Sequence, residues 1–418
     1  MSYSIDNMVP SSIEHPTTLD EISSALCKSN DEGQSVIPWG GGTRITIGNI
    51  PTSYDTALDL SEFTGDIEHE PGDMTVVANA GVTIGSLNAL LGNEGQRLPF
   101  EVRNPATATV GGSIASNASG HRQSSTGGIR DWVIGMQIVL ADGTVTKSGG
   151  RVVKNVQGYE MHRLHTGAFG TLGVVSQVAF KLLPTPPEQQ SVIAWFDDQD
   201  TAQDVGLSLV NGLFNPEAIS LIHGPIAEQV ITEAGEESTA EETWVLIIRL
   251  GGGVRSIERQ VNEVVGASGA NGATGYAVLS DIAANAAWTI LEDSESQSHT
   301  IIRMTARTSN ALTASHEIPI SDLEKDKRIS TICDLGFGAM TVIADLTNDE
   351  ESLSFINSTL QTITKHGGSY LIEKCPLDVK HDMDVFSDVG NSIDLMRRIK
   401  NQYDPNGTLN PGRFVGKI

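Results

Sequence analysis

Glycine is the residue that most restricts what this chain can become. It supplies 43 of the 418 residues, about 10% where about 7% is usual. Its distribution is uneven: 24 of the 43 fall in residues 1–185 and 19 in the remaining 233. Because glycine lacks a Cβ, clusters of it mark places where backbone must approach a neighbour or a ligand closely. The first 185 residues are therefore built around tight main-chain contacts. They end at Lys181-Leu-Leu-Pro184-Thr-Pro186-Pro187, where three nearby prolines break any helix or inner strand. A domain boundary is expected near residue 186, and the length allows two to three domains at about 100–200 residues each.

The glycines form three clusters. Ahead of the first, Thr18 and Glu21 have capping-box spacing and Leu19, Ile22 and Leu26 recur at helical spacing, which predicts a helix over about 19–28. A short β-branched strand, Ser35 to Pro38, leads into Trp39-Gly40-Gly41-Gly42-Thr43-Arg44, and Ile45 to Ile47 reads as another strand. A dinucleotide fingerprint of the G-x-G-x-x-G type needs a helix at that point, so that reading is rejected. Three successive glycines still form a nest of backbone N–H groups able to hold a pyrophosphate, or simply a hairpin turn. The second cluster, Pro105 to Gly120, is a run of small residues with Gly111, Gly112, Ser113, Asn117 and Ser119 in it. The third, Gly167-Ala-Phe-Gly170-Thr-Leu-Gly173-Val174, precedes an alternating strand from Val174 to Leu182. Three such stretches within about 140 residues point to a shared backbone-lined groove for a phosphorylated cofactor.

Charge removes other classes. Lys and Arg total 27 against 52 Asp and Glu, a formal net charge of -25. Such a chain has no clustered cations with which to neutralise nucleic-acid phosphates, and an anionic membrane surface repels it. Cys27, Cys333 and Cys375 form no C-x-x-C pair and are too few for a self-contained four-cysteine iron-sulfur cluster. The same sparse, odd count fits a reducing cytoplasm. The N-terminus has no basic region followed by an apolar stretch, and no run of about 18 apolar residues occurs, so neither a signal peptide nor membrane insertion is expected.

Taken together, Pro38-Trp-Gly-Gly-Gly-Thr43, Val110-Gly-Gly-Ser-Ile-Ala-Ser-Asn117, Gly167-x-x-Gly-Thr-Leu-Gly173 and Asp404-Pro-Asn-Gly-Thr-Leu-Asn410-Pro-Gly412 resemble the vanillyl-alcohol oxidase / p-cresol methylhydroxylase (PCMH-type) FAD-binding superfamily. The match covers about residues 10–185 and 365–418. Within it, Arg151-Val-Val-Lys154-Asn-Val-Gln-Gly158-Tyr159-Glu160 and Leu395-Met-Arg-Arg-Ile-Lys400 are similar to the FAD subunits of bacterial glycolate oxidases. The resemblance implies an α+β fold: a PCMH-type FAD-binding domain of two α+β subdomains (1–186), an α/β cap domain with a mostly antiparallel sheet (187–365), and a C-terminal segment returning to the FAD domain (366–418). It implies that Trp39, Gly40, Gly41, Gly42, Thr43 and Arg44 hold the pyrophosphate. Pro105, Ala106, Thr107, Gly111, Gly112, Ser113, Asn117, Ser119 and Gly120 would line the flavin and ribityl chain, and Gly173 and Val174 the adenine end, with Asn410 contributing from the C-terminal segment. The first loop has no His or Cys and the second no His before His121, so the FAD is expected to be non-covalent.

The implied chemistry is oxidation of a small 2-hydroxy acid such as glycolate or D-lactate by hydride transfer to flavin N5. Electrons would pass to a second flavoprotein subunit and an iron-sulfur subunit. The expected location is cytoplasmic, peripheral to a membrane at most through those partners. Arg249 and Arg303, each inside an apolar strand, are the candidate substrate anchors, since a planar guanidinium suits a carboxylate; an internal ion pair with one of the abundant acids is the commoner role for such an arginine, and the resemblance favours Arg303 of the two. Lys154 and Tyr159 are the candidate catalytic residues, with capping or packing as the alternative. His121, His162 and His165 are further candidates for the base, His162 and His165 reading rather as satisfied loop or core histidines, and no metal site is expected. The rival readings are an oxygen-using sugar or alditol oxidase and a non-catalytic flavin-bearing subunit of a glycolate oxidase complex.

Overall fold

The structure is a computed structural model that describes residues 3–151, 158–237, 243–318, 329–346 and 349–418. The chain divides into two compact units. The first comprises Met1–Gly120, Gly127–Thr185 and Met383–Ile418; the second comprises His121–Thr126 and Pro186–Asp382.

The first unit is α+β and contains two sheets. In the smaller, β1 (Ser12–Glu14), β3 (Thr56–Asp59) and β2 (Val36–Trp39) run parallel in that order. The helix Leu19–Asp31 packs Ile22 and Leu26 against it. Its N-terminus carries the expected capping box: Glu21 N–H donates to Thr18 Oγ1 at 3.3 Å, and Thr18 N–H donates back to Glu21 Oε2 at 3.1 Å. The larger sheet has the order β4 (Glu68–Glu70), β5 (Thr75–Asn79), β9 (Val174–Lys181), β7 (Val133–Val139), β8 (Val145–Gly149), all antiparallel. A separate two-residue ladder joins β6 (Gln96–Arg97) to β10 (Leu183–Pro184). The helix Ile84–Gly92 and the short helix Val110–Ala115 fill the core beneath the larger sheet with Leu87, Leu91 and Ile114. The C-terminal segment lies along β2, with Val36 N–H donating to Thr408 O at 2.7 Å and Asn410 N–H to Val36 O at 3.0 Å.

Two expectations are corrected. Ile45 to Ile47 form turns rather than a strand. Gly42 takes a left-handed φ of +71°, and Ile45 N–H and Ile47 N–H fold back onto Gly42 O and Arg44 O, so turn geometry overrides the β-propensity of two isoleucines. Residues 366–382, expected to return to the first unit, belong to the second through β18 (Ser369–Lys374) and the helix Leu377–Asp382.

In the second unit one eight-stranded sheet has the order β14 (Gly275–Ser280), β11 (Glu188–Phe196), β13 (Trp244–Gly252), β12 (Ala218–His223), β16 (Ile329–Asp334), β17 (Ala339–Ala344), β15 (Thr300–Thr305), β18. Every pairing in it is antiparallel. The helices Pro225–Glu233 and Asp281–Gln297 pack against one face, where Ala227, Val230, Ala287 and Trp288 meet Ile193, Ile247 and Ile332.

Candidate functional site

β2 delivers the chain into the glycine loop. Trp39 is buried and its indole N–H donates to the Tyr54 hydroxyl at 2.6 Å, fixing the point from which the loop departs. A methyl group on Gly40 would stand 2.2 Å from Thr109 Oγ1, and one on Gly41 would stand 1.7 Å from the Thr107 carbonyl oxygen. Both positions therefore require glycine, because the loop lies directly on residues 107–109. Thr109 in turn caps the helix Val110–Ala115, accepting from Gly112 N–H at 3.3 Å. A methyl on Gly111 would come within 2.8 Å of the Ala80 methyl. The first two glycine clusters thus meet.

Where they meet, the first unit opens into a cleft with two lobes. The first encloses about 590 Å³, its open mouth included, and is lined by Gly40 to Arg44, Gly112, Asn410 and Arg413, among others. The second, about 460 Å³, shares Gly40, Thr109 and Gly112 with the first and continues to Trp39, Gly111, His165, Gly173 and Val174. One cleft therefore gathers Trp39 through Arg44, Gly111, Gly112, Gly173, Val174 and Asn410 from all three clusters and the C-terminal segment. Pro105, Ala106, Thr107, Ser113, Asn117, Ser119 and Gly120 do not line either lobe. Pro105 O accepts from Gly85 N–H, and the Ser113 hydroxyl donates into its own helix, to Thr109 O.

The polar groups of the cleft have a pattern that suits FAD. Arg413 is fully buried, and burial pulls its guanidinium down to about 10, against nearby Asp6 and Tyr54, which favour the cation. It remains charged at neutral pH and donates to Ile45 O and Ile47 O, so a fixed cation sits beneath the glycine loop of a strongly acidic protein. Asn410 Nδ2 donates to Phe169 O at 2.6 Å, while its buried Oδ1 has no hydrogen-bond partner among the described residues. An acceptor held in this way awaits a donor such as a sugar or ribityl hydroxyl. A backbone-lined loop over a buried cation suits a pyrophosphate.

This wall is pinned from behind. Lys400, at the end of the helix Ser392–Tyr403, places Nζ 2.5 Å from Asp404 Oδ2, 2.9 Å from Thr171 O and 2.8 Å from Leu409 O. Asp404 also accepts from Thr408 N–H at 2.9 Å and Leu409 N–H at 2.7 Å.

The remaining candidates fall elsewhere. Tyr159 is 88% exposed and lines neither lobe, and Lys154 lies outside the described residues. Arg249 and Arg303 both belong to the second unit, and strand register puts them on one face of its sheet. Arg249 faces Ala218 across β12, Ser220 faces Asp334 across β16, Asp334 faces Ala339 across β17, and Thr341 faces Arg303 across β15; side chains two apart share a face. The buried Arg249 guanidinium lies over the Trp288 ring at 4.4 Å. Arg303 Nε is 3.8 Å from Glu373 Oε1. Sequence reasoning missed Asp334, on the same face. Burial pushes its carboxyl up to about 7, against bonds from Gly336 N–H (2.9 Å) and Phe337 N–H (3.0 Å) and the charge of Arg303. Arg413 was also missed; its only sequence signal is its place directly after Asn410-Pro-Gly412. Among the described residues no group of three or more His, Cys, Asp or Glu is placed to hold a metal ion.

Residues 10–149 match the FAD binding domain family, and residues 387–414 match the C-terminal domain of FAD linked oxidases. With the α+β fold and the glycine-lined cleft, these define a flavoprotein with a PCMH-type FAD-binding domain, an FAD-linked oxidoreductase related to glycolate oxidase and to D-lactate and D-2-hydroxyglutarate dehydrogenases. The chain is 25% identical to glycolate oxidase subunit GlcD of Bacillus subtilis (strain 168), over 98% of this chain and 90% of that protein. It is 32% identical to glycolate oxidase subunit GlcE of Escherichia coli (strain K12), over 40% of this chain and 47% of that one. Among solved structures it superposes on alkyldihydroxyacetonephosphate synthase with a TM-score of 0.71 at 16% identity, covering 96% of this chain and 76% of the other, which is a likeness of fold. No helix among the described residues is long and apolar enough to cross a membrane.

Proposed function

We propose that the chain oxidises a small 2-hydroxy acid, of the glycolate or D-lactate kind, to the 2-oxo acid with non-covalent FAD, and passes the electrons to partner subunits, a second flavoprotein and an iron-sulfur protein. The observation that carries the reading is the glycine-lined cleft in a chain whose similarity to a GlcD subunit runs along nearly its whole length. FAD supplies, when bound, an acceptor at N5 for the hydride that leaves the substrate carbon.

The chain's own residues supply position and charge. The Gly40–Thr43 amides and Arg413 hold the pyrophosphate, Arg44 adds charge at the mouth, and Asn410 Oδ1 accepts from a hydroxyl. Gly111 and Gly112 form the wall along the flavin and ribityl chain, Pro105 to Thr107, Ser113, Asn117, Ser119 and Gly120 support that wall without lining the cleft, and Gly173 and Val174 meet the adenine end. On the second unit, Arg303, or in its place Arg249, binds the substrate carboxylate; the two are four strands apart and do not act on one small acid together. The hydroxyl proton goes to Lys154 or Tyr159.

The test is anaerobic mixing of the FAD-loaded protein with glycolate, D-lactate, D-2-hydroxyglutarate and a set of alditols. Bleaching of the flavin bands by one or more 2-hydroxy acids is expected; bleaching by alditols alone, or by nothing, overturns the proposal. A second reading, a flavin-bearing subunit that oxidises nothing itself, draws on the 32% identity to the GlcE subunit. It forecasts full FAD binding with no bleaching by any substrate.

A further inference from the structure

The second lobe of the cleft holds one polar side chain that the proposed function does not use. His165 ends the four-residue helix His162–His165 and is 4% exposed. Its ring meets Tyr403 edge-on at 5.6 Å, and its Nδ1 is buried without a hydrogen-bond partner among the described residues. Burial alone pulls the imidazole down to about 4, so the ring is neutral under ordinary conditions. A neutral imidazole has one N–H donor and one bare nitrogen acceptor. A nine-tenths buried side chain with an unmet nitrogen calls for a partner that the protein itself does not provide.

The surroundings say what kind of partner. The lobe is walled by Leu60, Ala80, Val174 and Val175 and by the backbone of Gly170 and Gly173. No charged side chain lines it, in contrast to the first lobe with Arg44 and Arg413. A mostly apolar slot whose other polar side chains, Trp39 and Thr109, already bond Tyr54 and Gly112, and whose unmet group is an uncharged imidazole, suits a flat, uncharged, nitrogen-rich ring rather than a phosphate or a sugar. Methyl groups on Gly170 and Gly173 would strike Asn410 Nδ2 at 2.9 Å and the Ile138 side chain at 2.5 Å, so both positions beside the slot call for glycine.

We propose that His165 is a base-reading residue, whose imidazole hydrogen-bonds the adenine ring of FAD in the second lobe of the cleft. The inference rests on the reading of this cleft as the FAD site. It adds a specificity element to a site otherwise made of main chain: adenine carries ring nitrogens that accept and an amino group that donates, and the neutral imidazole complements either edge.

The test compares FAD with FMN, which lacks the adenine, on apoprotein, by quenching of flavin fluorescence. In His165→Phe, which keeps an aromatic ring and loses both nitrogens, FAD affinity falls about tenfold while FMN affinity is unchanged; His165→Gln, which keeps a neutral donor and acceptor, recovers most of the loss. Equal FAD affinity in wild type and His165→Phe overturns the inference, as does a loss shared equally by FMN. Wild-type protein that binds no FAD would instead overturn the reading of the cleft. Should His165→Phe fail to fold, wild-type protein labelled with ¹⁵N-histidine and titrated with ADP decides: the resonance absent from His165→Gln must move, and a fixed resonance at saturating ADP overturns the inference.

Discussion

Lys400 and Asp404 form a buried ion pair one turn apart, 2.5 Å between Nζ and Oδ2, and each also bonds backbone of the strip that closes the cofactor cleft. Lys400→Met leaves a buried carboxylate without its cation. The expected loss is about 3–5 kcal/mol, the usual cost of breaking a buried pair from one side. Because the pair holds Leu409 and Thr171 together, FAD affinity should fall in step. Thermal unfolding with and without FAD measures both; a stable variant with wild-type FAD affinity would separate this pair from the cleft.

Gly41→Ala places a methyl 1.7 Å from the Thr107 carbonyl oxygen, so the glycine loop must shift away from residues 107–108. A folded protein that purifies without flavin colour is expected, with FAD affinity reduced at least a hundredfold. Gly92→Ala is the control: no atom lies within 4 Å of the new methyl, at the end of the helix Ile84–Gly92. It should leave FAD binding intact and raise stability by a few tenths of a kcal/mol to about 1 kcal/mol. Absorbance at the flavin bands after gel filtration reads both variants.

Acid should unfold this protein through its histidines. Burial lowers both His165 and His223 from 6.5 to about 4. Between those values the unfolded imidazoles take up protons that the folded ones refuse, so stability falls as the pH drops from 6.5 and the loss is complete below about 4. Each histidine contributes at most about 1.4 kcal/mol per pH unit in that window. His165→Phe and His223→Phe should each flatten urea-derived stability plotted against pH. Asp334 acts with the opposite sign: raised from 3.8 to about 7, it costs stability as the pH climbs from 3.8 to 7, and Asp334→Asn should remove that slope.

Arg303→Gln should raise the concentration of 2-hydroxy acid needed for half-maximal flavin bleaching by about 10- to 100-fold, a charge-assisted carboxylate contact being lost. FAD content should not change, since Arg303 belongs to the second unit. An unchanged half-saturation would assign the side chain to its pairing with Glu373 alone.

The cofactor cleft was legible in the sequence to the extent that glycine identity records backbone contact. Gly40, Gly41 and Gly111 each occupy a place that a methyl group cannot, so the clusters marked the cleft before any fold was known. Arg413 and His165 left no such mark. One surface-type cation and one histidine near a turn look the same whether exposed or buried, and their burial comes from segments far apart in sequence: residues 45–47 for Arg413, Tyr403 for His165. The shared face of Arg249, Asp334 and Arg303 depends on register accumulated across β13, β12, β16, β17 and β15. Period-2 patterning within each strand does not encode that order. The α+β class and the antiparallel sheet of the second unit were expected. The Ile45–Ile47 strand was the instructive error, since Gly42 sets the chain's direction there and Arg413 takes up the carbonyls that a sheet partner would have bonded.

The hexapeptide His121–Thr126 belongs to the second unit although its neighbours on both sides belong to the first. Arg122 Nε lies 3.3 Å from Glu217 Oε2, Ser125 Oγ donates to Glu217 O at 2.7 Å, and the His121 ring lies 5.2 Å from that of Trp288. The polypeptide therefore passes between the units four times, and no single scission can part them. A fragment cut at residues 186 and 382 would lack a stitch at the start of β12, in the middle of its own sheet, so domain exchange among relatives of this protein must carry two separate pieces of gene at once.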